Sequence, residues 1–239
     1  MSAVDASAAT LLSLPATAAL TPALRTVVEA ALRDASGARV APAEPWPVLA
    51  DTLQSLATLN ADADVIAAAI LHVLPEPPPD AATRLAQAHP RVAALLDGQR
   101  AARQVWALHA ERVGRGGQEG LRRLLLAIVR DLRVVPILLA RQLAHLRAVA
   151  TRPEPERVAL ARLTRDIHAP LANRLGIWQL KWELEDLAFR HLDPQTYRRI
   201  AGLLDDKRSG RERYIDEVTR TLLAPLQHAL PARLQERDR

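Results

Sequence analysis

The 239-residue chain contains no cysteine, which excludes disulfides, thiolate metal sites and cysteine nucleophiles. Aromatic residues make up only 3% of it, so Leu, Ala, Val and Ile must fill the core. Lysine is nearly missing, because all basic residues except Lys181 and Lys207 are arginines. No apolar run reaches about 18 residues, so we expect no membrane-spanning helix and no membrane partner. Lack of cysteine is compatible with a reducing compartment, and we expect a cytoplasmic protein.

The abundant residues favour helices. Ala, Leu, Arg and Glu have high helix propensity, and apolar residues recur at helical spacing between proline and glycine breaks. One example runs from Thr21, a capping residue, to Gly37, a typical C-terminal residue. No stretch alternates like a strand. The sequence therefore predicts an all-α fold, a compact multi-helix bundle with no sheet.

A net charge of +5 is compatible with an acidic partner such as nucleic acid. The arginines are, however, scattered through the predicted helices beside Asp and Glu, and no stripe combines basic with aromatic residues. We therefore expect that this segment does not bind nucleic acid by itself.

Three stretches carry a family resemblance. Residues 166–192 read DIHAPLANRLGIWQLKWELEDLAFRHL, close to the motif APLA-x-RLG-x-x-x-x-KWELED. Residues 121–149 are similar to paired helices that end in KLADRLHNMR, and residues 62–76 to a segment that holds a His-Asp pair. These motifs belong to the RelA/SpoT alarmone enzymes, and the chain resembles their N-terminal HD-type hydrolase region. The resemblance implies an HD-type helical bundle.

Hydrolytic members of that family bind a manganese ion through His, His-Asp and a distant Asp, and remove the 3′-pyrophosphate of (p)ppGpp. The first His corresponds to Trp46 here. The His-Asp pair corresponds to His72 and Val73, and valine has no lone pair for a metal. The family's Glu-Asp corresponds to Glu76 and Pro77.

The KLADRLHNMR motif is changed as well. Its metal-binding Asp corresponds to Arg141, a fixed cation that repels a divalent ion, and its Asn corresponds to His145. Its later Arg is kept as Arg147. The resemblance therefore implies a degenerate hydrolase region: we expect no catalytic residue, no metal ligand and no cofactor-binding residue. Manganese is implied only if the hydrolase were active.

Alternatives remain open at this point. A rebuilt metal site of His72 and His145, with Glu76 as a third ligand, would give an active (p)ppGpp 3′-pyrophosphohydrolase. The old pocket would also suit a guanosine nucleotide without turnover, held by Arg141, Arg147 and His72. A further hypothesis is that the chain is a module that binds RNA or the ribosome. The remaining histidines lack ligand spacing and are expected at the surface or at helix ends: His89, His109, His168, His191 and His228.

In the family, degenerate hydrolase regions accompany a C-terminal domain that transfers pyrophosphate from ATP to GTP or GDP in the bacterial stringent response. The resemblance implies such a GTP diphosphokinase (pyrophosphokinase) domain as the partner, and ribosome association through the parent protein. We expect a mobile N-terminus at 1–20, an HD-type domain at 21–209, and a C-terminal helix and linker at 210–239. This segment would then be a regulatory and structural pseudo-hydrolase, not an enzyme.

Overall fold

The computed structural model of the chain describes residues 10–37, 42–110 and 131–205, and beyond these only residues 207, 213, 217 and 219. For residues 105–110 it describes the helical backbone alone. Within the described residues the regular structure is helical, with no strand, which confirms the predicted all-α bundle. None of the helices described is both long enough and apolar enough to cross a membrane.

The helices follow one another along the chain as α1 Pro22–Gly37, α2 Trp46–Thr58, α3 Ala63–Val73, α4 Pro79–Ala88, α5 Pro90–Ala110, α6 Val134–Ala148, α7 Glu154–Leu163, α8 Ala169–Arg174 and α9 Trp178–Leu192. A short 3-10 helix, Pro15–Ala19, precedes α1, and a π-helical turn, Thr164–His168, joins α7 to α8. The chain divides into two compact units, Met1–Leu192 and Asp193–Arg239. All nine named helices belong to the first unit, and residues 194–205 of the second unit are helical.

Helices α3 and α6 form the centre of the first unit. Helix α6 packs on α2 and α9, and α3 packs on α5 and α1. Seven of the eleven residues of α3 are buried, in agreement with its largely apolar sequence. Because α6 is also buried along most of its length, two of its polar side chains, Arg141 and Gln142, are enclosed with the core, and they help to determine what the centre of the bundle can do chemically.

Local signals fix the helix ends that position this centre. The Asp62 carboxylate accepts a hydrogen bond from the Val65 N–H at 2.9 Å and caps α3. Gly176 has φ 71°, a left-handed conformation that favours glycine, and it turns the chain between α8 and α9. Helix α6 begins only at Val134, so Pro136 lies in its first turn, where its missing N–H leaves no hydrogen bond unmade.

Of the segment predicted to be mobile, 1–20, the structure describes residues 10–20. Leu11 is 2% exposed and belongs to the hydrophobic core together with Leu20, one residue on each side of the 3-10 helix. Residues 1–9 lie outside the described residues. The expected domain boundary at 209 and the C-terminal helix at 211–229 also lie outside them, apart from single positions, and both stay predictions.

Candidate functional site

The site begins at the C-terminal end of α3, where His72 and Val73 are adjacent. Val73 is fully buried and belongs to the hydrophobic core. Its carbonyl accepts a 2.7 Å hydrogen bond from the N–H of Ala43, which ties the loop before α2 to the end of α3. That bond brings the neighbouring residue, Glu44, into the interior of the bundle. The loop residue and the end of α3 therefore form one wall of the site.

Arg141 projects from the middle of α6 into this interior. Only 8% of its side chain is exposed, and its Nε lies 3.1 Å from Oε1 of Glu44, whose side chain is 14% exposed. Its Nη2 donates to Oε1 of Gln99 at 3.0 Å, and Gln99 donates in turn to the carbonyl of Ala68 at 3.1 Å. The guanidinium is thus held by one charged and one neutral oxygen, one from the loop and one from α5.

Burial and charge act on this pair in opposite directions. Burial alone raises the pKa of Glu44, but the hydrogen bond from His145 and the charge of Arg141 outweigh it, so the pKa lies below its usual value. Burial lowers the pKa of Arg141, and Glu44 counteracts part of that effect. An arginine remains protonated near neutral pH even so. Glu44 and Arg141 therefore form a buried ion pair.

His72 faces a second arginine. Nη2 of Arg103 lies 2.5 Å from Nε2 of His72, and because a guanidinium only donates, Nε2 must be the acceptor. Burial lowers the pKa of His72 to about 3, and the charges of Arg141 and Arg103 act in the same direction. His72 is therefore neutral at physiological pH, and its Nε2 lone pair, the one a metal would take, is already used.

The remaining predicted positions do not all reach this centre. His145, one turn beyond Arg141 on α6, does: its Nε2 lies 3.5 Å from Glu44 Oε1. Trp46 begins α2 and packs against the hydrophobic core. Glu76 is exposed, and its carboxylate pairs with Nε of Arg100 at 3.4 Å. The structure therefore does not bring Glu76 together with His72 and His145 as a third ligand.

Arg147 lies at the C-terminal end of α6 and joins three helices. It pairs with Asp51 of α2 at 2.5 Å and with Glu183 of α9. About one third of its side chain is exposed, so this group is more open to solvent than Arg141. Because its two acidic partners lie on other helices of the bundle, the retained Arg147 links these helices through ion pairs.

Glu44 was not identified as a residue of this site by the sequence analysis. It is the single charged residue between Val40 and Ala50, a signal that marks it as unusual but gives no partner. His168 was expected at the surface or at a helix end, and it stands at the N-terminal cap of α8. It is not a surface residue there: it is fully buried at the end of the π-helical turn, and burial lowers its pKa to about 4.

A cavity of about 850 Å³ opens beside His72, between α1, α3, α4 and α5. Most of its lining is apolar, and its polar residues include His72, Arg100 and Arg103. Glu44, Arg141 and His145 are not part of its lining. The ion pair is thus closed off from the cavity, and His72 lies between the two.

The donor set at this centre does not fit a resident metal ion. Metal binding needs several lone pairs directed at one point, from carboxylates or neutral imidazoles. In the part of the chain that the structure describes, no three His, Asp or Glu side chains are arranged in this way. The same Glu44 oxygen that lies near His145 is paired with the Arg141 cation, whose charge repels a second cation.

The comparisons with known proteins agree with the fold. An HD domain family model matches residues 44–178, more than half of the chain. GTP pyrophosphokinase from Escherichia coli (strain K12) is 44% identical over 180 residues, which are 74% of this chain and 24% of the relative. A probable guanosine-3′,5′-bis(diphosphate) 3′-pyrophosphohydrolase from a Synechocystis strain is 50% identical over 101 residues, 42% of this chain and 13% of the relative.

GTP pyrophosphokinase from Haemophilus influenzae is 49% identical over 105 residues, which are 44% of this chain and 14% of the relative. The chain therefore spans about a quarter or less of the length of these relatives. Its matched region includes both the polar centre around Arg141 and most of the scaffold that carries it. On the match to the family and the all-α bundle, this chain belongs to the HD domain family, as a RelA/SpoT-type HD domain.

Proposed function

We propose that this chain is a catalytically degenerate (p)ppGpp hydrolase domain that serves a RelA-type GTP diphosphokinase as a regulatory and structural module. The observation that carries the proposal is the buried Arg141–Glu44 ion pair. A hydrolase of this kind would need a divalent ion to activate water and neutralise phosphate charge. Arg141 stands at the position that corresponds to the family's metal-binding Asp, and its charge would repel that ion.

Two further observations support the loss of activity. Val73 corresponds to the Asp of the family's His-Asp pair, and it is fully buried in the core. This position therefore offers no carboxylate to a metal. His72 accepts a hydrogen bond from Arg103, so its Nε2 is not available to a metal. The relative that matches over 180 residues, 74% of this chain, is named GTP pyrophosphokinase, and this supports a parent of that type.

The hydrolase part of the proposal is tested with the purified chain, ppGpp and manganese. We expect no release of pyrophosphate and no bound metal by elemental analysis, under conditions in which an active hydrolase of the family turns over its substrate. Metal-dependent breakdown of ppGpp, with stoichiometric manganese, would show that the chain is an active hydrolase after all.

The regulatory part is tested in the parent protein, in which we expect a synthetase domain to follow this one. Contact with that domain would bias it between a more active and a less active state. We expect deletion of residues 1–200 to change the rate of pyrophosphate transfer or its response to effectors. Equal rates and an equal response would leave this region without a regulatory role. We also propose that the parent protein is cytoplasmic.

A further inference from the structure

The cavity beside His72 is separate from the centre around Arg141. It is enclosed by α1, by the end of α3 with the loop that follows it, and by α4 and α5. None of its described lining residues belongs to α6, so neither Arg141 nor Arg147 reaches it. Its volume of about 850 Å³ is within the range of small-molecule sites in proteins, roughly 300–1,000 Å³.

Helix α4 covers this cavity without being buried. None of its ten residues is buried, and the three that line the cavity from its inner side, Ala81, Ala82 and Leu85, are only half-buried. A surface helix ordinarily packs its apolar stripe against the core. Here much of that stripe borders the cavity instead. An apolar group bound under α4 would remove this surface from water, which is favourable.

The body of the cavity is aliphatic. Its apolar lining consists of alanine, leucine, valine and proline side chains, and none of the described lining residues is Phe, Tyr or Trp. Nucleobases are commonly held by stacking on aromatic rings. The lining therefore favours an aliphatic chain over a base.

Three arginines line the cavity, and two of them are paired with carboxylates. Nη1 of Arg84 lies 2.8 Å from Asp80. Nε of Arg100 lies 3.4 Å from Glu76, and its Nη1 lies 2.9 Å from Asp97. Both of these arginines therefore have a counter-charge within the protein.

Arg103 is the third arginine, and no carboxylate of the described residues pairs with it. Its Nη2 donates to Nε2 of His72 at 2.5 Å, which holds the guanidinium at the cavity wall. Because His72 is neutral, this bond leaves the charge of Arg103 uncompensated. A guanidinium carries five N–H donors in a planar fork that matches a carboxylate, so donors remain for an anion.

The remaining charge of the lining limits how many negative charges a ligand can carry. Asp34, on α1, also lines the cavity, and its carboxylate would repel a second anionic group there. Arg103 alone does not balance a polyphosphate. The lining thus fits a ligand with one carboxylate and an uncharged aliphatic body.

We propose that this cavity binds a medium-chain aliphatic monocarboxylate, with its carboxylate on the Arg103 guanidinium and its chain beneath α4. The inference goes beyond the proposed function, because the site shares only His72 with the degenerate centre. Binding adds an apolar contact to α4, the helix of the bundle that is least buried among those that line the cavity.

The first test is calorimetric titration of the whole chain with hexanoate, octanoate and decanoate, each below its critical micelle concentration. Every two added methylene groups should tighten binding by about tenfold, because each is buried under α4. Decylammonium has the same chain and the opposite charge, and it should bind at least about tenfold more weakly than decanoate. Absence of decanoate binding, an affinity that does not rise with chain length, or equal binding of decylammonium would overturn the proposal.

The second test removes the charge that is assigned to the carboxylate. Arg103→Gln should weaken decanoate binding by about tenfold. Arg84→Gln is the matched control, since Arg84 also lines the cavity but is paired with Asp80, and it should change the affinity by less than about twofold. An unchanged affinity in Arg103→Gln, or equal losses in both variants, would contradict the assignment of the head group.

The third test locates the chain. Ala82→Phe places a ring in the cavity and should weaken decanoate binding by at least about tenfold. Thr83→Phe changes the next residue of α4, which is exposed and does not line the cavity, and it should leave the affinity unchanged. Wild-type affinity in a folded Ala82→Phe would overturn the proposal. If circular dichroism shows that Ala82→Phe is unfolded, the chain-length series and Arg103→Gln decide, since neither alters the core. The proposed function stands or falls separately, by pyrophosphate release and metal content.

Discussion

The Arg141–Glu44 pair allows a sharp prediction about stability. Arg141→Met keeps much of the side chain's volume but removes its charge, and so leaves Glu44 as a carboxylate that is only 14% exposed. Breaking a buried ion pair costs about 3–5 kcal/mol in free energy of unfolding. His145, at 3.5 Å, takes over part of the arginine's role by hydrogen bonding to Glu44. We therefore expect a loss near the lower end, about 3 kcal/mol.

The second half of the prediction concerns the double variant Glu44→Gln/Arg141→Met. Replacing both members of a buried pair by neutral groups is often close to neutral, because neither charge then has to leave water. We expect the double variant to recover at least half of the loss caused by Arg141→Met. The two substitutions should thus be coupled by more than about 1 kcal/mol, as contacting residues commonly are.

The assay is urea unfolding followed by circular dichroism, with thermal unfolding beside it. Arg147→Met is the matched control, since Arg147 lies on the same helix and also pairs with carboxylates, but with about one third of its side chain exposed. An exposed pair contributes about 0–1 kcal/mol, so this control should lose much less. A loss of less than about 1 kcal/mol for Arg141→Met, or a double variant less stable than either single one, would refute the reasoning.

Two further predictions concern other parts of the site and its scaffold. Burial holds the pKa of His72 in the folded chain at about 3, below its ordinary value of 6.5. As the pH is lowered below 6.5, His72 is therefore protonated in the unfolded chain but not in the folded one. The free energy of unfolding should be highest above pH 6.5 and should fall as the pH is lowered. At pH 5 the free energy of unfolding should be lower by about 2 kcal/mol because of His72. His72→Gln should remove this part of the pH dependence in urea titrations, and the part that is due to His168 should remain. On α5, a Cβ added to Gly98 would lie 2.6 Å from Cγ2 of Val134, so Gly98→Ala should destabilise the chain by about 1 kcal/mol despite its higher helix propensity. In a Val134→Ala background the same substitution should become neutral or stabilising in urea unfolding, and an unchanged loss there would contradict the steric explanation.

The amino-acid sequence by itself determined most of the helical scaffold. Pattern and capping predicted α1 from Thr21 to Gly37, because these signals act within a few residues of the chain. The cap of α3 at Asp62 and the turn at Gly176 are local features of the same kind. Lys181 and Glu185 are four residues apart on α9, a spacing that favours an ion pair, and their side chains pair at 2.9 Å. Local physics decides such features, so no tertiary information is needed to find them.

The sequence also determined which residues are missing from the family's metal site, since Val73 and Arg141 can be read directly against its motifs. It did not show what replaces them. Glu44 lies 97 positions before Arg141 in the sequence, and the loop that carries it is held by a backbone hydrogen bond to Val73. Only the packing of that loop, α3 and α6 brings the carboxylate to the arginine. Likewise, exposure of Glu76 and the bond from Arg103 to His72 depend on how separate helices meet, because burial and long-range charge are properties of the assembled bundle.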